Sequence, residues 1–286
     1  MRWGMEVILV NDNKIIATIV IPTLNRPDML RHAVMSAVNQ TERNIEILIT
    51  DNESDLPAED ACQGINDSRI VFIRYPRIPA SKNWTTGSRI AKGKYITYLC
   101  DDDAIQPHYI RNMVDLIESR PDCSLVTTPW SWTNQNFELL ESANSNGFGL
   151  VQRQLDPKEF ILQVLEMRRP LGLGGCLCRT EDLYDVGFHP SGLPDPWASD
   201  HMAWFRVALE GACVLTTDEP LLLYRLHEKS VSRAPISCNL EENISAYIRS
   251  LQKFAPIFAN QSRFARASNR FCDFMYTHLR GNDDRP

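Results

Sequence analysis

The segment YLCDDDAI ends an apolar run in three consecutive carboxylates, Asp101, Asp102 and Asp103. Adjacent carboxylates repel one another and raise one another's pKa. A hard divalent cation relieves that repulsion, because Mg²⁺ and Mn²⁺ prefer carboxylate oxygens. Mg²⁺ in particular is held by one or two carboxylates together with substrate phosphates. These residues therefore point to a cation and phosphate site. The alternative is an acid-decorated helix N-terminus, which the helix dipole favours, with Pro107 just downstream.

Such a site needs a scaffold, and the first half of the chain alternates strand and helix signals. KIIATIVIP (14–22) is a continuous β-branched run suited to a strand buried on both faces. PDMLRHAVMSAVNQ (27–40) has apolar residues at helical spacing behind Pro27. Strands follow at 45–51, 69–75, 94–100 and 123–130, with helices at 81–93 and 107–121. Gly93 sits where a helix C-cap would fall. This βαβ rhythm predicts a mostly parallel sheet covered by helices, with ligands at the carboxyl ends of the strands. PTLNR, TDNESD and CDDDA lie at three such ends, so all three clusters are expected to face one crevice.

After about residue 130 the pattern changes. WTNQNFELLESANSNGFGL reads as turns or a hairpin, and 157–166 as a short helix. GLGGCLCR (172–179) reads as a glycine-rich strand approached closely by another backbone or a ligand. SDHMAWFRVALEG (199–211) reads as a helix stopped by Gly211, and ACVLTTDEPLLLYRLH as two short strands around Pro220. Two helices joined near Pro256 close the chain.

Composition bounds the function. With 286 residues, 43% hydrophobic and 23% charged, the chain is an ordinary globular one. A net charge of -6 argues against a dedicated nucleic-acid binder. No secretory signal and no run of about 18 apolar residues is apparent, so a cytoplasmic location is expected. The eight cysteines are scattered, with Cys176 and Cys178 as the nearest pair, and free thiols are the expectation.

Taken in order, IATIVIPTLNRPDMLRHAVMSAVNQTERNIEILITDNESD and ASKNWTTGSRIAKGKYITYLCDDDAIQP resemble a family 2 glycosyltransferase of the GT-A fold. The ordered similarity runs from about residue 16 to 128, with a looser one from 172 to 233. The resemblance implies a Rossmann-like α/β fold with a C-terminal helical segment. It implies a nucleotide-sugar half (1–128), an acceptor half (129–237) and a helical extension (238–286). It further implies inverting transfer of a hexose or N-acetylhexosamine from a nucleotide-diphosphate donor, UDP-sugar above all, to a hydroxyl on a glycan or lipid-linked acceptor. Mn²⁺ or Mg²⁺ would be the cofactor, and polysaccharide or glycoconjugate synthesis the setting.

Residue by residue, Pro22, Thr23, Asn25 and Arg26 would lie along the nucleotide. Asp51 would accept a hydrogen bond from the base, with Asp55 the better candidate for closing the local turn. Lys82 takes the place of a basic residue that reaches the nucleotide, and Asp101 would face the ribose. The commoner family pattern, D-x-D-D, begins seven residues before the proline; counting back from Pro107, that slot holds Cys100. The same register moves the direct metal role towards Asp102, with Asp103 and His227 beside it. Asp200 takes the position of the catalytic base, although Ser199 stands where the family has a first acid. The other reading of Ser199 and Asp200 is a helix cap. Trp197, Ser199, Arg225 and Ser230 are weaker candidates for acceptor or phosphate contacts, and 227–235 for a lid. Trp204 is expected in the core. The basic face of the last helices is expected to be solvated, with a membrane surface as the minority reading.

Two other functions compete. A sugar-nucleotide pyrophosphorylase would want a Gly-rich basic loop after the first strand, which PTLNRPD lacks. A non-catalytic nucleotide-sugar or glycan binder is left open by Cys100 and Ser199.

Overall fold

The computed structural model describes residues 14–140, 153–187, 199–227 and 240–279. Four parallel strands form the first half of the main sheet: β1 (Ala17–Thr23), β2 (Ile45–Asp51), β3 (Ile70–Arg74) and β4 (Tyr95–Tyr98). β1 and β2 are apolar on both faces because helices cover the sheet on either side. Ile19, Ile21, Ile47 and Ile49 pack with α1 (Pro27–Val38), and Val20 and Leu48 pack into a second cluster. Between the strands run a short α2 (Ala58–Ala61) and α3 (Ala80–Ile90).

β4 is followed by a two-residue β5 (Ala104–Ile105), then α4 (Tyr109–Ser119), β6 (Cys123–Thr127) and β7 (Trp130–Thr133). Next come β8 (Gln154–Leu155), α5 (Pro157–Leu165), β9 (Cys176–Arg179) and α6 (Thr180–Val186). α7 (Ser199–Glu210), β10 (Cys213–Thr216) and β11 (Leu222–Arg225) follow. The main sheet has the order β3-β2-β1-β4-β9-β6-β10-β8, and β5-β11-β7 form a second, small sheet. The C-terminus adds α8 (Leu240–Gln252), a 3₁₀ turn at Ala255–Ile257 and α9 (Gln261–Leu279).

The parallel first half is as the sequence predicts. GLGGCLCR differs, because β9 runs antiparallel to both β4 and β6. The expected close approach at its start is real: Gly175 has φ +77° and its carbonyl accepts from Thr128 N at 2.9 Å. The hairpin expected after residue 130 reduces, among the described residues, to a bridge between Thr133 and Leu139.

Gly93 does not cap α3, which ends at Ile90. It lies against β1 instead, where a Cβ would fall 2.4 Å from Thr18 N. Its N–H donates to Thr18 Oγ1 at 2.9 Å. Gly93→Ala must push backbone rather than a flexible side chain. It is expected to cost about 1–3 kcal/mol of stability, read as a lower urea midpoint at unchanged slope.

The cysteine expectation holds at Cys62, Cys100, Cys176, Cys178 and Cys272, which are free. It is corrected at Cys123 and Cys213, which form a disulfide. The parallel register of β6 and β10 sets these two residues opposite one another, with Cα atoms 4.6 Å apart. A separation of 90 residues hides that pairing from any reading of spacing.

The C-terminal helices seal the core. Tyr247 and Phe271 are buried, and His201 Nδ1 of α7 lies 3.2 Å from Tyr247 Oη. Trp204 is fully buried, as expected, and donates to Gly172 O. Arg249, Lys253, Arg266 and Arg270 are exposed, whereas Arg263 is held by Glu159 and Glu166. Among the described residues no helix is long and apolar enough to cross a membrane.

Candidate active site

The three predicted clusters do meet. β1 and β4 are paired neighbours, so Thr23 at the end of β1 lies beside the turn that follows β4. Thr23 Oγ1 donates to Asp101 Oδ2 at 2.8 Å. Two residues further along, Asn25 takes a left-handed conformation (φ 56°) and turns the chain into α1. Arg26 Nη1 then reaches both Asp101 Oδ1 and Asp102 Oδ2, each at 2.9 Å. The guanidinium thus neutralises part of the acidic triad.

The other side of the triad comes from β11, which pairs antiparallel with β5 just after Asp103. Arg225 N donates to Asp103 Oδ1 at 3.0 Å, and Arg225 Nε to the Asp102 carbonyl at 2.7 Å. His227 Nε2 lies 3.1 Å from Asp102 Oδ2. Two buried atoms here have no partner among the described residues, Arg225 Nη2 and His227 Nδ1. A buried donor without a partner costs free energy, and an anionic ligand would satisfy it.

The three carboxyls are electrostatically distinct. Burial raises Asp101 to about 6, with Arg26 opposing and Asp102 adding to the rise. Burial also opposes ionisation of Asp102, but the hydrogen bond with His227 and the charge of Arg26 outweigh it, holding this carboxyl below its ordinary value. Asp103 is pushed well up by burial and then by the charge of Asp102. Asp102 is therefore the carboxylate best held in its ionised form.

Residue 100 keeps some surface exposure, but its thiol is buried among the acids. Burial and the charges of Asp103, Asp102, Asp101 and Asp200 push the Cys100 thiol well up. Asp200 lies in the first turn of α7, half-buried, and its Oδ1 accepts from His201 N at 2.9 Å. Its charge acts on the thiols of both Cys100 and Cys176. Ser199 beside it is 1% exposed. Trp197 and Ser230 lie outside the described residues, as does the expected lid beyond His227.

One assignment is reversed. Asp51 closes the turn that had been given to Asp55. Asp51 is buried, its Oδ1 accepts from Ser54 N at 2.8 Å and its Oδ2 from Ala58 N at 3.1 Å. Asp55 is exposed, and its backbone N–H donates to Asn25 Oδ1. The reason is position: at the end of β2, the Asp51 carboxylate faces the N–H groups of the residues that follow. Arg74 adds an ion pair to Asp51 at 2.9 Å. Sequence reading missed Arg74, although a charge at the carboxyl end of a strand was a usable signal. Pro22 is half-buried in β1 opposite Thr50. Lys82 projects from α3, exposed and without an ion-pair partner among the described residues. Its neighbour Asn83 donates to Thr50 O, while Asn83 Oδ1 is buried without a partner among the described residues.

A Rossmann-like sheet with an acidic, arginine-lined crevice at its strand ends defines a class of nucleotide-sugar enzyme. Residues 18–168, more than half of the chain, match the profile of Glycosyl transferase family 2, and the chain belongs to that family. It is a glycosyltransferase. It is 26% identical over 232 residues to UDP-Glc:alpha-D-GlcNAc-diphosphoundecaprenol beta-1,3-glucosyltransferase WfaP of Escherichia coli, across 76% of this chain and 80% of that one. It spans far less of two longer curated glycosyltransferases, 16% and 37% of their lengths. Among solved structures, S. aureus TarS 1-349 in complex with UDP-GlcNAc has the same fold, with TM-score 0.71 and 11% identity over 93% of this chain and 74% of that one. Mannosyltransferase PcManGT from Pyrobaculum calidifontis, in complex with GDP-Man and Mn²⁺, gives TM-score 0.61 and 14% identity over 92% and 71%.

Proposed function

We propose that this glycosyltransferase moves a hexose or N-acetylhexosamine from a UDP-sugar to a hydroxyl, with inversion and with a divalent cation. The observation that carries this reading is the triad itself. Three carboxyls are held between Arg26 on one side and Arg225 and His227 on the other, with the charge of Asp200 felt at the neighbouring Cys100 thiol. WfaP uses UDP-Glc and TarS binds UDP-GlcNAc, as their names state, which supports a UDP-sugar donor.

The donor set fits a divalent cation with its diphosphate: clustered carboxylates, and beside them the buried Arg225 Nη2 awaiting an acceptor. Asp102 and Asp103 would hold the cation, with His227 beside them. When bound, it supplies electrophilic stabilisation of charge on the leaving diphosphate. Thr23 and Arg26 orient Asp101 towards the ribose. Asp51 and Asn83 border the base, and Lys82 reaches over the nucleotide. Arg225 turns its unpartnered Nη2 to the phosphates. Asp200 takes the proton from the acceptor hydroxyl as that oxygen bonds to the anomeric carbon, and the bond to the diphosphate oxygen breaks in the same displacement. No covalent enzyme intermediate forms.

On this reading residues 1–128 form the donor half, 129–237 the acceptor half, with Ser199, Trp197 and Ser230 near the acceptor or phosphates, and 238–286 an extension. WfaP acts on a diphosphoundecaprenol-linked sugar, which supports a lipid-linked acceptor at the cytoplasmic membrane surface and a role in polysaccharide synthesis. The test is release of nucleotide diphosphate from a panel of sugar nucleotides, with Mn²⁺ and with chelator. UDP-sugars are expected to turn over with Mn²⁺ and to stop with chelator. No release from any donor, and no metal-dependent UDP binding, would overturn the reading.

A further inference from the structure

We infer that Cys100 is itself a ligand of the cation at the triad, giving a mixed sulfur and oxygen site that prefers softer ions to Mg²⁺. The inference rests on the cation reading above and adds a ligand to it. Cys100 Sγ and one carboxylate oxygen each from Asp102 and Asp103 all lie within 4.8 Å of one another. A thiolate at about 2.3 Å and a carboxylate oxygen at about 2.1 Å from one ion in tetrahedral geometry stand about 3.6 Å apart. The three donor atoms therefore reach chelating separations by closing at most about 1.4 Å, a movement that side-chain rotation supplies. The turn that follows β4 places them so: Asp103 N donates to Cys100 O at 3.1 Å, setting residues 100 and 103 side by side. Cys100 is a free thiol.

A second, independent observation points to a ligand at this spot. Arg225 and His227 are 5% and 8% exposed, both contact Asp102, and each keeps a buried nitrogen with no partner among the described residues. Arg225 Nη2 is a donor for the anion that accompanies a cation on the carboxylates, and His227 Nδ1 is a polar atom that a bound ligand would satisfy. By contrast, the other cysteine and acid grouping among the described residues, around Cys123 and Cys213, is already closed by the disulfide.

The chemistry of sulfur sets the consequence. On binding, the Cys100 S–H proton leaves to solvent as the sulfur–metal bond forms, and no electron changes hands. Thiolate favours Mn²⁺, Co²⁺, Zn²⁺ and Cd²⁺ over Mg²⁺, whereas an all-oxygen site suits Mg²⁺.

Titration of the protein, with its Cys123–Cys213 disulfide intact, with CoCl₂ or CdCl₂ in the presence of UDP tests this. Wild type is expected to develop a sulfur-to-metal charge-transfer band that saturates at a single equivalent per chain. Cys100→Ser should lack the band and still bind Mn²⁺ by calorimetry. Cys100→Asp should shift the Mg²⁺ to Cd²⁺ affinity ratio towards Mg²⁺ by about tenfold or more. Circular dichroism melting checks that both variants fold. If wild type binds Mn²⁺ without a band, or if Cys100→Ser keeps it, or if the ratio is the same in wild type and Cys100→Asp, the inference falls while the cation reading stands. If wild type with UDP binds no cation at all, both fall.

Discussion

Asp200→Asn is expected to lower the transfer rate by about 10²–10⁴-fold, the usual worth of a positioned general base, while leaving metal-dependent UDP binding within a factor of about two. The amide keeps the shape of the side chain and can keep the hydrogen bond that Asp200 Oδ1 accepts from His201 N. What it loses is the ability to take a proton. Nucleotide contacts come from Thr23, Arg26 and the triad, on other elements, so donor affinity has no reason to change. The measurement is kcat with saturating donor and acceptor, paired with UDP calorimetry. An equal loss in kcat and in UDP affinity would place Asp200 in the donor site instead. Near-normal kcat would remove it from the mechanism and return it to the helix-cap role. One further consequence follows from its charge on Cys100: neutralising Asp200 removes one of the four carboxylates that disfavour ionisation of that thiol.

Legibility in the sequence tracked how local each feature is. β1, β2 and α1 were read almost to their ends, because continuous β-branched runs and a proline-led helical stripe fix element type within a dozen residues. The meeting of PTLNR with CDDDA was legible for a topological reason: parallel strands joined by crossovers put their carboxyl ends on one edge. Strand direction was not legible for GLGGCLCR, since an apolar period says nothing about orientation, and β9 runs opposite to its neighbours.

Side-chain partnership was the least legible level. Asp51 and Asp55 are similar in sequence context, yet only Asp51 has its carboxylate facing the following N–H groups and Arg74. The Cys123–Cys213 disulfide depends on strand register across 90 residues. Cys100 read as a departure from an acidic pattern. The structure places its sulfur in the same cluster as Asp102 and Asp103, because the turn after β4 carries residue 100 around to residue 103.

Asp102→Asn is expected to abolish the stabilisation that Mn²⁺ and UDP give the wild-type protein, and to cut transfer by about 100-fold or more. Ligand stabilisation grows as RT ln(1 + [L]/Kd), so at 100-fold excess over Kd the wild type should gain about 2.7 kcal/mol, and the variant close to none. The metal-free proteins should differ in a pH-dependent way whose sign follows from the site. The Asp102 carboxyl is held below its ordinary pKa, with burial outweighed by His227 and Arg26. Its ionised form is thus favoured by folding. That contribution is present above the unfolded-state pKa and is lost as pH falls through the depressed value. Asp102→Asn should therefore be the less stable protein at neutral pH, with the gap closing in acid. Asp103→Asn should behave oppositely. Burial and the charge of Asp102 push Asp103 well up, so folding binds a proton there and wild-type stability falls as pH rises towards that raised value. An asparagine carries no such penalty and can still accept from Arg225 N. Metal-free Asp103→Asn should gain on wild type as pH rises, while Asp102→Asn loses. Urea midpoints of the three proteins across the pH range, taken in chelator, read this directly. The same trend in both variants would mean that the two carboxyls do not divide their roles as the hydrogen bonds imply.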